Sequence, residues 1–396
     1  MSAETQAAEE AKVPLWNDPK VRALVSQAIL VILVVWFGYE IVNNTLVNLE
    51  KRKIASGFGF LNTTASFGII QSLIPYSEAS SYGRVFVVGL LNTILVGVIG
   101  IILATILGFV VGIMRLSKNW VVAKIATVYV ETLRNLPLLL QIFFWYFGVL
   151  SALPSARNSL SLFNDSVFLN SRGLYLPKPI FESGSSLIFI GLLIGLVAAP
   201  MVARWARKRQ EATGEQFPIF WSSVGLIIGL PILGYLLSGL PVSVEFSTKG
   251  TFNLSGGLQV IPEFVALVLA LSFYTASFIA EIVRAGILAV SHGQTEASHA
   301  LGLRNGPTLR LVVIPQALRV IIPPLTSQYL NLTKNSSLAV AIAYPDLVSV
   351  FAGTVLNQTG QAVEILLMTM GVYLTLSLLT SLFMNWYNAK MALTER

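Results

Sequence analysis

The chain of 396 residues contains no cysteine, which rules out disulfides, a thiolate nucleophile and any cysteine metal site. Its two histidines, His292 and His299, are too few for a histidine metal cluster. Charge is scarce: 11% of residues are charged against 55% hydrophobic, so a soluble globular composition is excluded. There is no G-x-x-x-x-G-K-[ST] phosphate loop, and the chain is not expected to hold ATP in that manner. No clustered His, Asp or Ser acid–base group equips it as an intramembrane enzyme. Polar residues 1–20, with Glu4, Glu9 and Glu10 beside Lys12 and Lys20, are followed by no small-residue cleavage site. They are expected to form a cytoplasmic tail rather than a signal peptide. The net charge of +7 does not point to nucleic acid, because the basic residues fall mainly in short loops flanking apolar segments, as membrane orientation requires.

Long apolar runs are what the chain does have. Eight of them reach or approach spanning length: 21–47, 85–114, 120–150, 187–205, 217–240, 263–290, 338–356 and 361–387. The expected fold class is therefore an all-α integral membrane protein with both termini cytoplasmic. Trp36 and Tyr39 fit interface anchors of the first span, whose Glu40 lies close enough to its end to snorkel. Residues 48–83 read as a polar extracytoplasmic linker, although Lys51, Arg52 and Lys53 oppose that orientation. Gly97, Gly100, Gly108 and Gly112 permit close packing of the second span. Arg204, Arg207, Lys208 and Arg209 mark the cytoplasmic end of the fourth. Pro231 is a kink that a membrane helix tolerates, and 151–186 and 243–262 read as loops.

Polar residues stand out against this background. Asn92 and Thr93 lie in the opening turns of the second span. In the third, Glu131 and Arg134 are three apart on one helical face, and Gln141 falls close to that face two turns on. Tyr274, Glu281 and Arg284 share a face of the sixth span, repeating the E-x-x-R spacing. These charges either line a pathway and meet the ammonium and carboxylate of a zwitterion, or satisfy each other near the inner interface and hold the bundle. Lys334 and Ser337 head the next apolar stretch, where a lysine must pair, face water or snorkel to the inner interface.

The most densely patterned polar stretch is 291–315. Glu296, Ala297 and Ser298 open a short helix that Gly302 ends with a positive φ. Asn305, Gly306 and Pro307 give a second turn, with Pro307 suited to the first position of a new helix running toward Val312, Ile314 and Pro315. Two short helices joined by a glycine make a compact projection. The spacing Glu-Ala-small, Gly and aliphatic-x-aliphatic-Pro resembles the EAA loop of permease subunits in bacterial binding-protein-dependent ABC importers, with Ser298 where alanine is usual. Tyr129, Val130, Glu131, Arg134, Pro137, Leu138, Gln141, Phe143 and Phe144 resemble the signature of polar-amino-acid permeases of the histidine/glutamate/glutamine family, with Asn135 and Leu136 in place of Gly-Thr. Lys334 to Leu338 resembles that family's K-x-T-S-L segment, with Ser336 in place of threonine.

The resemblance implies a type I ABC importer permease bundle of about eight transmembrane helices, in the bacterial inner membrane. It implies a core at 84–150 and 262–390, a leading helix at 21–47, and an insertion with two helices at 151–261. Leading span and insertion together are similar to the longer permeases of Aap- and Bzt-type general L-amino-acid importers. Glu296, Ala297, Ser298, Gly302, Ile314 and Pro315 then form the coupling helix that sits in a groove of an ATPase subunit. That partner, not this chain, uses ATP and Mg; a second homologous permease and a periplasmic amino-acid-binding protein complete the expected set. The function implied is import of L-amino acids by alternating access. An ion-coupled secondary transporter, using Glu40, Glu281 or Asp346, is the alternative.

Overall fold

A computed structural model describes residues 19–51, 56–250 and 253–391. Most of the expected tail 1–20 lies outside the described residues, as do Arg52, Lys53, Thr251 and Arg396. Among the described residues, seven helices and one sharply bent helix pair are long and apolar enough to cross a bilayer, in line with the expected eight. The first, α1 (Pro19–Lys51), buries none of its most apolar stretch against the rest of the chain.

Helix α2 (Tyr82–Met114) starts where Ser81 Oγ accepts the Arg84 backbone N–H, and packs along α8 (Pro262–Leu288), the most buried span. The approach is set by missing side chains. A Cβ on Gly108 would lie 2.5 Å from Ile279, and one on Gly112 2.8 Å from the Ala280 carbonyl oxygen. Gly100 meets Leu332 of a third helix, whereas Gly97 has nothing within 4 Å and plays no part in this packing.

The expected single segment 120–150 is two helices. Asn119 caps α3 (Trp120–Asn135) through Oδ1, accepting from Val121 and Val122. Pro137 forces Leu136 into extended backbone (φ −92°, ψ 132°), and α4 (Leu138–Phe143), prolonged by wide turns to Leu150, leaves at 109°. The continuous face expected for Glu131, Arg134 and Gln141 therefore does not exist. Gln141 folds back instead, its Nε2 donating to the Leu133 and Leu136 carbonyls that the break leaves open.

Residues 151–250 and 253–261 form a helical hairpin crowned by strands. Helix α5 (Ser186–Thr213) accommodates Pro200, ends at Gly214 (φ 74°), and packs on α6 (Ile219–Val224) and α7 (Leu230–Leu237). Gly191 and Gly195 lie against the Leu230 and Leu226 carbonyls. The segments expected as plain loops hold short strands: β1 (Leu160–Leu162), β2 (Val167–Asn170), β3 (Gly173–Leu176), β4 (Lys178–Phe181), β5 (Val242–Glu245), β6 (Thr248–Lys249), β7 (Leu254–Ser255) and β8 (Leu258–Val260). Antiparallel pairing gives the order β1-β2-β3-β8, with β4-β5 and β6-β7 as separate pairs. Leu174 stands opposite Val260, so the sheet closes onto the residues that lead directly into α8.

After α8 come α9 (His292–Ala300) and α10 (Asn305–Thr308), which passes through a wide turn, Leu309–Val313, into α11 (Ile314–Asn335). The seventh crossing is thus Asn305–Ile342 rather than 338–356, and the second helix of the patterned stretch is not short. Pro307 takes its third position. Pro323 and Pro324 lie inside α11, which a packed membrane bundle tolerates. A tight turn Ser336–Ile342 ends at Ala343 (φ 57°); wide turns Val348–Val355, then α12 (Leu356–Thr359), lead to α13 (Ala362–Met391). This irregular segment is sheltered within protein: Leu347 and Phe351 are fully buried, and Gly89 of α2 admits Leu347 and Val350.

Candidate functional site

The projection at 291–304 is built from local rules. Gly302 (φ 80°) follows the last turn of α9; its N–H bonds the His299 carbonyl, and the Leu303 N–H bonds that of Ser298. That is a Schellman closure, which needs a left-handed residue at this position. Ser298 is buried, and its Oγ donates to the Thr295 carbonyl and to Thr308 Oγ1, 3.0 Å away on α10. It pins the two helices together and does not face outward as a coupling contact. Glu296 and Ala297 are exposed, with Glu296 Oε1 3.0 Å from His292 Nδ1. Leu301, Leu309, Leu311 and Ile314 leave apolar side chains exposed around them. Pro315 is half-buried at the start of α11.

Just inside this end of the bundle lies a charged cluster. Arg284 Nη2 donates to Glu281 Oε1 at 2.6 Å, as the i, i+3 spacing predicts. Glu281 also accepts from Arg115 at the end of α2, whose other Nη lies 3.9 Å from Glu131. Glu131 and Arg134 do not pair with one another: the Arg134 guanidinium sits 5.2 Å above the Phe278 ring. Arg115, at the end of α2, thus joins α2, α3 and α8.

Beyond the cluster, between α8 and α11, is a half-open pocket of about 280 Å³ lined by Tyr274, Thr275, Phe278, Gln328, Asn331 and Asn335. Of the residues singled out in sequence, Tyr274 alone lines it. Gln328, Asn331 and Asn335 were missed, although their i, i+3, i+7 spacing puts three amides on one face of a membrane helix. Lys334 is exposed beside Asn335, and Ser337 Oγ donates to its carbonyl. Because α11 crosses from 305, Leu332 meets Gly100 halfway along α2, so Lys334 lies deep in the span rather than at the inner interface.

Asn92 and Thr93 are buried away from the pocket. Asn92 Nδ2 donates to the carbonyls of Gln71 and Pro345, and Thr93 Oγ1 accepts the Leu347 N–H, so both hold the irregular 343–355 segment to α2. Asp346 caps that segment, its Oδ1 accepting from Ser349 N–H and Oδ2 from Tyr373. Gln141, spent on the α3 carbonyls, borders an apolar crevice of about 400 Å³ with Leu136, Phe144, Trp145 and Phe273.

A projecting helix pair on a membrane bundle with a polar inner pocket can dock a partner and pass a polar solute. Residues 100–393 match the family of binding-protein-dependent transport system inner membrane components. The chain belongs to that family. The permease is 58% identical over 96% of its length to the general L-amino acid transport system permease protein AapQ of Rhizobium johnstonii, covering 94% of that protein. It is 43% identical to the glutamate/glutamine/aspartate/asparagine transport system permease protein BztB of Rhodobacter capsulatus, covering 96% of each. A crystal structure of an amino acid ABC transporter with histidines is similar at 19% identity and a TM-score of 0.46, over 78% of this chain and 95% of that one. The permease is a multi-pass inner-membrane component of an amino-acid ABC importer and is not itself the ATPase. Membership implies ATPase and binding-protein partners. The ion-coupled alternative gives way to this assignment, and two of its carboxylates, Glu281 and Asp346, are already engaged within the bundle.

Proposed function

We propose that this chain forms one half of a permease heterodimer that imports L-amino acids by alternating access, with α9 and α10 seated in the ATPase. The observation that carries the reading is the exposed rim of the helix pair: Glu296, Ala297, Leu301 and Leu309 face outward with nothing among the described residues to cover them, while Ser298 braces the pair from beneath. Closure of two ATPase subunits on ATP and Mg displaces this rigid unit, and the displacement passes along the helix continuous from Asn305 into α11. The pocket between α8 and α11 is the chain's share of the pathway. Its amides and the Tyr274 hydroxyl suit an ammonium and a carboxylate, and Arg134, stacked on the lining Phe278, stands at its margin. Half-openness of the pocket supports a second, homologous permease as its other wall.

Residues 84–150 and 262–390 act as the core, and 151–261 as an insertion whose helices pack chiefly on one another. Both termini are cytoplasmic in this scheme. Purification from native membranes should yield a second permease and an ATPase in fixed ratio. Glu296→Lys should leave insertion and assembly intact while amino-acid uptake falls at least tenfold; normal uptake by that variant, at normal abundance, would overturn the coupling role.

A further inference from the structure

The inserted hairpin carries a second exposed surface, apart from the helix pair and the pocket. From Ser186, α5 rises for roughly 28 Å before Trp205, at 1.5 Å per residue, about the thickness of a bilayer's hydrocarbon core. Trp205 is exposed there, and across the turn Phe220 and Trp221 are exposed at the start of the returning helix. Exposed tryptophans at that depth mark the headgroup boundary. At and just beyond this level α5 presents Arg204, Arg207 and Lys208 within an arc of about 100°, all exposed. No carboxylate among the described residues pairs with them. Arg209 is different: it points away, stacks on Trp205 at 5.6 Å and pairs with Glu215. Glu211 shares the cationic face one turn further out, leaving a net excess of two positive charges.

We propose that this face, Arg204, Arg207 and Lys208 above the Trp205 and Trp221 girdle, binds the headgroups of anionic phospholipids and anchors the insertion in the inner leaflet. An acidic protein is the lesser fit, because the cations stand at headgroup depth beside exposed aromatic residues rather than out in water. Unlike Arg115, which is consumed by Glu281, these three retain their donors for phosphate oxygens.

The test uses the full-length permease purified with its companion subunits, stripped of lipid in mild detergent, titrated with phosphatidylglycerol and read by native mass spectrometry, with phosphatidylcholine as control. R204Q/R207Q/K208Q should weaken phosphatidylglycerol binding on the order of fivefold per charge removed, and R204K/R207K should bind like the parent. Since the neutral variant risks misoriented insertion, E211Q supplies the opposite arm: it removes the negative charge and should tighten phosphatidylglycerol binding about fivefold. Unchanged phosphatidylglycerol affinity in E211Q overturns the proposal. Loss of an acidic protein companion from the neutral variant, with its lipid binding intact, assigns the face to that protein and overturns it equally.

Discussion

Glu281 has two guanidinium partners, Arg284 from its own helix and Arg115 from α2, and they are not equivalent. Arg284 stiffens one turn of α8, whereas Arg115 ties two spans together from a largely buried position. Arg115→Ala is expected to lower stability by about 1–2 kcal/mol, between the cost of breaking an exposed pair and a buried one. Glu131→Gln should cost only a few tenths of a kcal/mol, since Glu131 is exposed and 3.9 Å away. Thermal unfolding of the two variants in one detergent checks the contrast. Sequence spacing revealed the Glu281–Arg284 pair because both residues lie on one helix. It could not reveal Arg115 as the third member, since helix-to-helix register depends on where Gly108 and Gly112 let α2 descend onto α8. The pocket amides were legible in principle, but a period of one helical turn is easily lost in a helix interrupted by Pro323 and Pro324.

At the scale of elements, small residues decide which faces meet. Gly108→Val is expected to cost about 1–3 kcal/mol by overpacking, because its Cβ falls on Ile279, while Gly97→Ala should be silent in the same assay, having open space before it. Spans one, two, five and six were readable from hydropathy to within a few residues; the third breaks at Pro137, and the fourth runs on through its basic cluster to Thr213. The seventh was misplaced because Pro315, Pro323, Pro324 and Lys334 depress the apolar signal of a helix that buried neighbours nonetheless support. The strands escaped notice for another reason. Each is two to four residues long, too short for an alternating pattern, and β3 finds its partner β8 across the whole hairpin.

Across the whole molecule, the absence of cysteine becomes an experimental asset. A single cysteine at Phe163, exposed at the strand-bearing end, should react with an impermeant maleimide added to spheroplasts, and one at His299 only after the membrane is opened. The reverse pattern would invert the orientation. The bend at Pro137 carries a further consequence. With α3 turned by 109°, what is left to cross is Leu138–Leu150, thirteen residues, or roughly 20 Å at 1.5 Å per residue. A hydrocarbon layer of about 30 Å is too deep for it. Around this helix a local thinning of the bilayer is the expected response, a hydrophobic mismatch set by the bend. Reconstitution in a series of phosphatidylcholines of increasing acyl length should show uptake declining toward the thickest membranes, with a steeper fall than for a neighbouring permease whose corresponding helix runs straight.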